Sequence, residues 1–262
     1  MIPLFLVPII VAFLLVRGPR VLGILAAVGF MAFIGWKRGV YSIEFLSYGV
    51  NGIMLGWFVA YAVLRKKSLF VLSFAAVLLE LTFQAVAGGM AIYADLYRSM
   101  LETAAKGVGT LLKLPEVSQN ILDIQWKILV PFSEALKSAA YALLLGMILH
   151  RFVYGEKRRL SEYTMPYWSV WVFAAGLALA ILVGGFRNGN MLLLGMVALY
   201  LVNGVAIVRL FFEQPGRSKI SEALFFVMQV WLFCVPLFFL GLLEHWIDLR
   251  SRIVKAEEII KK

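Results

Sequence analysis

The chain has few of the side chains from which catalytic and metal sites are usually built. Its 262 residues include one cysteine, Cys234, and two histidines, His150 and His245. One cysteine permits neither an intrachain disulfide nor a CxxC metal site, and two histidines cannot form a multi-histidine zinc site. The HExxH, GxSxG and GxxxxGK[ST] patterns do not occur. The sequence therefore predicts a protein that is not an enzyme, with no catalytic residue, metal ligand or cofactor.

Charged residues are scarce as well. They make up 15% of the chain against 62% hydrophobic residues, and the mean hydropathy is +0.89. Ordinary soluble domains are roughly 25% charged and 45–50% apolar. The net charge of +10 comes mainly from clusters between apolar runs, at 17–20, 37–39, 65–67 and 155–159. Bases that flank membrane spans attract anionic headgroups, so the bilayer is the predicted partner and nucleic acid is not.

Long apolar runs fill most of the chain. Crossing a hydrocarbon core roughly 30 Å thick takes about 20 helical residues. We place candidate spans at 2–16, 20–36, 41–64, 68–90, 127–150, 166–185, 190–212 and 222–246. The predicted fold is all-α, a polytopic transmembrane bundle of about seven to eight helices in one integral membrane domain, 1–262. The first two runs are short for full crossings.

Local signals predict how these helices pack. Gly52 and Gly56 have the GxxxG spacing that lets two membrane helices approach closely. Pro236 lies inside an apolar run, where it should kink a helix or start one.

The only long polar stretch is 91–126. Its first part has apolar residues at helical spacing with charged residues between them. This pattern predicts an amphipathic helix on the bilayer surface or over the bundle, outside the membrane. An ordinary connector fits the pattern equally well.

The chain is predicted to be a multi-pass protein of the bacterial cytoplasmic (inner) membrane. If the clusters at 17–20, 65–67, 151–159 and 213–221 are cytoplasmic, the bases lie mostly inside and both termini lie outside. The five bases of the tail 250–262 favour the opposite side for the C-terminus. The sidedness therefore stays open at this point.

Polar side chains within the spans form helical stripes. They are Glu44, Tyr48 and Asn51 in the third span, Glu80 and Gln84 in the fourth, Glu134 and Lys137 in the fifth, and Asn203 in the seventh. Because polar stripes are unfavourable against lipid, they should face inward. Two interpretations remain open. The side chains either form hydrogen bonds between helices, or they line a ligand site or polar pathway, in which Glu80 is the deepest candidate.

The segment 236–252, PLFFLGLLEHWIDLRSR, resembles the end of the YybS-like family of uncharacterised bacterial polytopic membrane proteins. The matching residues are Gly241, Leu242, Leu243, Glu244, Trp246, Asp248 and Arg250. The segments 129–152 and 190–212 are also similar. The family is distantly similar to the substrate-binding S components of energy-coupling-factor transporters, which are helical bundles that depend on a membrane coupler and ATPases. The resemblance therefore implies a small-ligand site and possible coupler or ATPase partner subunits.

Two functions fit these features. One is a transport-related, S-component-like subunit that binds a small ligand of unidentified chemistry. The other is a non-transport scaffold or partner subunit of a cell-envelope assembly. A mid-membrane cavity at the polar stripes favours the first, and polar residues that satisfy one another without a void favour the second.

Overall fold

The structure is a computed structural model that describes residues 6–17, 43–86, 119–182, 189–214, 217–232 and 234–260, together with residues 25, 28–29 and 32. Six helical stretches within it are described as backbone only: 43–48, 85–86, 119–131, 189–190, 230–231 and 256–260.

Most of the described residues are helical. The helices are α1 Leu6–Arg17, α2 Ile43–Leu64, α3 Leu69–Val86, α4 Gln119–Tyr154, α5 Ser169–Leu182, α6 Gly189–Phe212, α7 Lys219–Trp231, α8 Val235–Ile247 and α9 Leu249–Ile260, with a 3-10 turn at Leu160–Glu162. No strand occurs in these ranges. The predicted all-α class is confirmed.

Helix α6 lies at the centre of the bundle. It packs against α4, α5 and α8, and α4 packs in turn against α3. The core between them is apolar and includes Leu72, Val77, Leu149, Met196 and Leu199, each less than 3% exposed. This packing gives α3 and α6 the buried faces on which Glu80, Gln84 and Asn203 lie.

Two described stretches, Phe132–Tyr154 and Met191–Phe212, have both the length and the apolar composition to cross a membrane. The other apolar helices, such as Ser169–Leu182, are shorter. Seven to eight spans are therefore not confirmed by helix length. The run 20–36 lies outside the described residues except at a few isolated positions, and so does the polar stretch 91–126 up to residue 118. Residues 119–126 form the start of α4.

The predicted span 222–246 consists of two helices. Cys234 has a left-handed backbone with φ 58°, and Pro236 lies in the first turn of α8, so that the chain reverses between α7 and α8. Each helix has 13 residues and is about 20 Å long, less than the roughly 30 Å of a hydrocarbon core. The predicted span is therefore not one continuous helix, because Cys234 adopts a backbone conformation that hydropathy does not register. The expectation for Pro236 is confirmed.

Both ends of this helical hairpin lie at the C-terminal end of α6. At its start, Glu222 of α7 forms an ion pair with Arg209 of α6. Beyond its end, the backbone carbonyl of Ile253 in α9 accepts a 2.9 Å hydrogen bond from Gln214 Nε2. The chain therefore enters and leaves the hairpin on the same side of the bundle.

Glycines allow two pairs of helices to approach closely. A Cβ on Gly56 would lie 2.5 Å from the Pro8 carbonyl oxygen of α1, which confirms the contact predicted from the GxxxG spacing. A Cβ on Gly204 would overlap the carbonyl oxygen of Leu237, and one on Gly241 would overlap that of Tyr200. Helices α6 and α8 thus cross backbone to backbone.

Candidate functional site

A buried carboxylate lies where α2, α3 and α4 meet. Glu80 Oε2 accepts hydrogen bonds from Asn51 Nδ2 at 3.0 Å and from Ser138 Oγ at 3.3 Å, and Oε1 accepts one from Gln84 Nε2 at 3.0 Å. Glu80 is only 6% exposed. We refer to Asn51, Glu80, Gln84 and Ser138 as the Glu80 cluster.

Helical spacing and close packing create this arrangement. Glu80 and Gln84 are one turn apart on α3, so their side chains share a face. Leu72 of the same helix packs over Gly146 of α4, and Val77 and Leu81 pack over Gly195 of α6. Small residues on the neighbouring helices thus hold α3 in the interior, which brings its polar face against Asn51 and Ser138.

Two acceptor atoms of the cluster are left over once its hydrogen bonds are made. Asn51 Oδ1 and Gln84 Oε1 are buried and accept no hydrogen bond from the part of the chain that the structure describes. Leaving a buried acceptor unsatisfied costs about 1–3 kcal/mol. Amide oxygens are hydrogen-bond acceptors, so each of the two could take a donor from a bound group.

Glu134 and Lys137 lie next to this cluster on α4. Lys137 Nζ is 2.6 Å from Glu134 Oε1 in an ion pair within the helix. Glu134 is one turn from Ser138 and within electrostatic range of Glu80. The two residues therefore stand at the edge of the Glu80 cluster, with Lys137 half exposed.

The remaining predicted residues lie elsewhere. Asn203 is buried on α6, where its Nδ2 donates a 3.0 Å hydrogen bond to the Gly241 carbonyl and its Oδ1 accepts one of 3.2 Å from Arg250 Nη2. Its hydrogen bonds join α6 to the C-terminal segment and involve no member of the Glu80 cluster. Glu44 and Tyr48 belong to α2 by backbone, but their side chains lie outside the described residues.

Sequence reasoning missed the role of Arg250. Its guanidinium donates 2.5 Å hydrogen bonds to the carbonyls of Ser161 and Tyr163 and lies 3.4 Å from Glu244 Oε1. Burial lowers the pKa of Arg250, and the nearby Glu244 opposes this shift. The position of Arg250 next to an apolar run indicated a membrane interface, but it did not indicate that Ser161, Tyr163 and Glu244 would be its partners.

Tyr163 is completely buried beside this arginine. Its hydroxyl oxygen lies 3.0 Å from Ser73 Oγ of α3, and burial raises the pKa of Tyr163 above its ordinary value. The phenol is therefore neutral at physiological pH. Together, Arg250 and Tyr163 fasten the connection between α4 and α5 to the bundle.

A further group of polar contacts links α5, α6 and α8. Ser169 Oγ is 3.3 Å from the Tyr200 hydroxyl and 3.3 Å from His245 Nε2. The Tyr200 and His245 rings meet edge to face, with centroids 5.7 Å apart. Ser169 is fully buried, so these contacts lie in the interior of the bundle.

No protein-family model matches this chain, and no curated protein or solved structure matches it either. The resemblance of 236–252 to the YybS-like family stays a prediction from those residues.

Proposed function

We propose that this chain is a multi-pass inner-membrane protein that serves as a transport-related subunit and binds a small ligand at the Glu80 cluster. The observation that carries the proposal is the buried Glu80 carboxylate, hydrogen-bonded to two amides whose own oxygens accept no hydrogen bond within the described residues. Ionisable groups within membrane helices are costly, and they usually mark ligand or ion pathways.

The outward faces of the helices support the multi-pass location. Exposed large apolar residues recur along α2, α4, α5 and α8 at helical spacing, including Val50, Met54, Leu144, Ile148, Phe152, Trp171, Ile181, Phe239 and Leu243. In water, such faces would be unfavourable over so much of the surface. In a bilayer they would lie against acyl chains.

Helix α7 gives the sharpest version of this argument. Its exposed residues include Ile220, Leu224 and Val227, whereas Glu222 and Gln229 are buried. A helix at the surface of a soluble protein has the reverse pattern. The inversion is what a lipid-facing helix requires, and it supports a membrane position even though α7 is too short to cross.

The chemistry of the cluster suggests the ligand class. Carboxylate and amide oxygens accept hydrogen bonds, so a ligand with an ammonium or several N–H or O–H groups would fit them. The chain carries no Walker-type nucleotide motif. Transport would therefore draw energy from an ion gradient or from partner subunits, such as a membrane coupler with ATPases.

Native mass spectrometry of gently purified protein tests this function. We expect a small molecule at fixed stoichiometry that is lost in Glu80→Gln, which keeps the shape of the side chain and removes its charge. Glu156→Gln is the matched control, because Glu156 is exposed between α4 and α5. Retention of the molecule in Glu80→Gln, or equal loss in both variants, would contradict the proposal.

A scaffold in a cell-envelope assembly is the second candidate. It is supported by the three hydrogen bonds that Glu80 accepts from within the bundle, since the cluster then stabilises the fold without a ligand. Co-purification of a protein partner with no small molecule would favour it, unless that partner were a coupler with an ATPase.

A further inference from the structure

A cleft with a volume of about 200 Å³ opens beside α2, far along the helix from the Glu80 cluster. It is lined by Leu15, Trp57, Ala60, Tyr61, Leu64 and Arg65. Leu15 belongs to α1, so the cleft lies between α1 and α2. Trp57, Tyr61 and Leu64 are each more than 40% exposed, so the cleft is open to whatever surrounds the bundle.

One wall of the cleft changes from apolar to charged along its length. The Trp57 and Tyr61 rings are stacked with centroids 5.8 Å apart. The Arg65 guanidinium then lies 5.7 Å from the Tyr61 centroid. Trp57 and Tyr61 are one turn apart on α2, and Arg65 follows four residues later, just past the end of the helix. The line therefore runs from two aromatic rings to a cation. An amphiphile with an apolar chain and an anionic head matches this order.

The charged end of the cleft has an excess of positive charge. Within the described residues, Arg65, Lys66 and Lys67 form no ion pair with a carboxylate. Helices α1 and α2 run in the same direction, since Val7 meets Gly52 and Val11 meets Gly56. Arg17, the last residue of α1, therefore adds a further base at this end.

We propose that this cleft binds an anionic phospholipid, with the phosphate on Arg65 and an acyl chain against Trp57 and Tyr61. An arginine guanidinium is suited to phosphate because its N–H groups can donate two parallel hydrogen bonds. The surrounding bases favour a headgroup with net negative charge over a zwitterionic one. Tryptophan and tyrosine are enriched at the headgroup level of bilayers, where the rings of this wall would lie.

This inference rests on the membrane location given under the proposed function, but not on the ligand site at Glu80. The test is native mass spectrometry of detergent-purified protein mixed with equimolar phosphatidylglycerol and phosphatidylcholine. We expect one tightly retained phosphatidylglycerol per chain. Arg65→Gln should weaken its retention about tenfold, and Arg65→Lys should weaken it less, because one charge-assisted hydrogen-bonded contact is lost or reduced.

Arg217→Gln is the matched control. In the unmodified protein, the Arg217 guanidinium also lies over an aromatic ring, 4.2 Å from the Phe211 centroid, but Arg217 does not line the cleft. The Arg217→Gln variant should retain phosphatidylglycerol as tightly as the unmodified protein does. Trp57→Ala, which removes the apolar wall and keeps Arg65, should also reduce retention.

Several outcomes would overturn the assignment. One is equal retention of phosphatidylglycerol and phosphatidylcholine, and another is equal loss of phosphatidylglycerol in Arg65→Gln and Arg217→Gln. A third is binding of inorganic phosphate, but no lipid, in a way that depends on Arg65. A fourth is a lipid-free dimer that dissociates when Trp57→Ala is introduced. Glu80→Gln separates this site from the proposed function, because it should lose the small ligand and keep the lipid. Recovery of the protein in the soluble fraction after carbonate extraction would instead contradict the proposed membrane location.

Discussion

Arg250 donates a 3.2 Å hydrogen bond from Nη2 to Asn203 Oδ1, across 47 residues of sequence. Because Asn203 also donates to the Gly241 carbonyl, one amide holds the crossing of α6 and α8 and the start of α9 together. Arg250 extends this junction to the carbonyls of Ser161 and Tyr163. The C-terminal segment is therefore fixed to the bundle by polar contacts, in a region where the helices themselves are short.

Arg250→Gln should destabilise the protein by about 3 kcal/mol, because Glu244 and two carbonyls lose a mostly buried charged partner. It should also increase tryptic cleavage after Arg158 and Arg159, in the connection that Arg250 fastens. Thermal unfolding in detergent and limited proteolysis measure the two effects. Arg252→Gln, which removes an exposed bond to the Ile247 carbonyl, should change stability by less than about 0.5 kcal/mol. Equal effects in both variants would show that Arg250 is not a fastening residue.

Gly204→Ala should lower the free energy of unfolding by at least about 3 kcal/mol, because the new methyl group would force the α6 and α8 backbones apart. Gly146→Ala is the control. The three atoms nearest to its methyl group would all belong to the Leu72 side chain, the closest being Cδ1 at 2.7 Å, so a side chain rather than a backbone would have to shift. We expect Gly146→Ala to cost about 1 kcal/mol or less, measured by thermal unfolding. Comparable losses in the two variants would mean that the close crossing at Gly204 is absent.

Glu80→Leu should insert into the membrane normally but lose function in a complementation assay. Its stability should fall by about 2 kcal/mol, because Asn51, Gln84 and Ser138 lose their common acceptor. Glu80→Gln, which keeps an acceptor oxygen, should stay within about 1 kcal/mol of the unmodified protein and yet be equally inactive. A fully active Glu80→Leu protein would remove Glu80 from the ligand site.

The hairpin of α7 and α8 should enter and leave the membrane on one side. In a Cys234→Ser background, cysteines at Ser218 and Lys255 should react with an impermeant maleimide from the same face of sealed vesicles. The natural Cys234, at the reversal between the helices, should be protected from both faces until the protein is unfolded. Labelling of positions 218 and 255 from opposite faces would mean that 222–246 crosses the membrane as one span.

The sequence alone determined the helical class and the face that Glu80 and Gln84 share. Glu80 and Gln84 must share a side of α3, because residues one turn apart in a helix lie one above the other. The contact at Gly56 followed in the same way, because a residue without a Cβ marks where two backbones can meet. These features depend on local geometry, which the order of residues fixes directly.

Only the tertiary structure decided which stripes meet. Asn51 and Ser138 donate hydrogen bonds to Glu80. Asn203 instead bonds to the Gly241 carbonyl and to Arg250. The hydropathy pattern does not distinguish these polar residues from one another. The reversal at Cys234 was equally invisible, because one left-handed residue changes the path of the chain without changing its apolar character. Such pairings depend on how helices distant in sequence pack, and a local pattern does not carry that information.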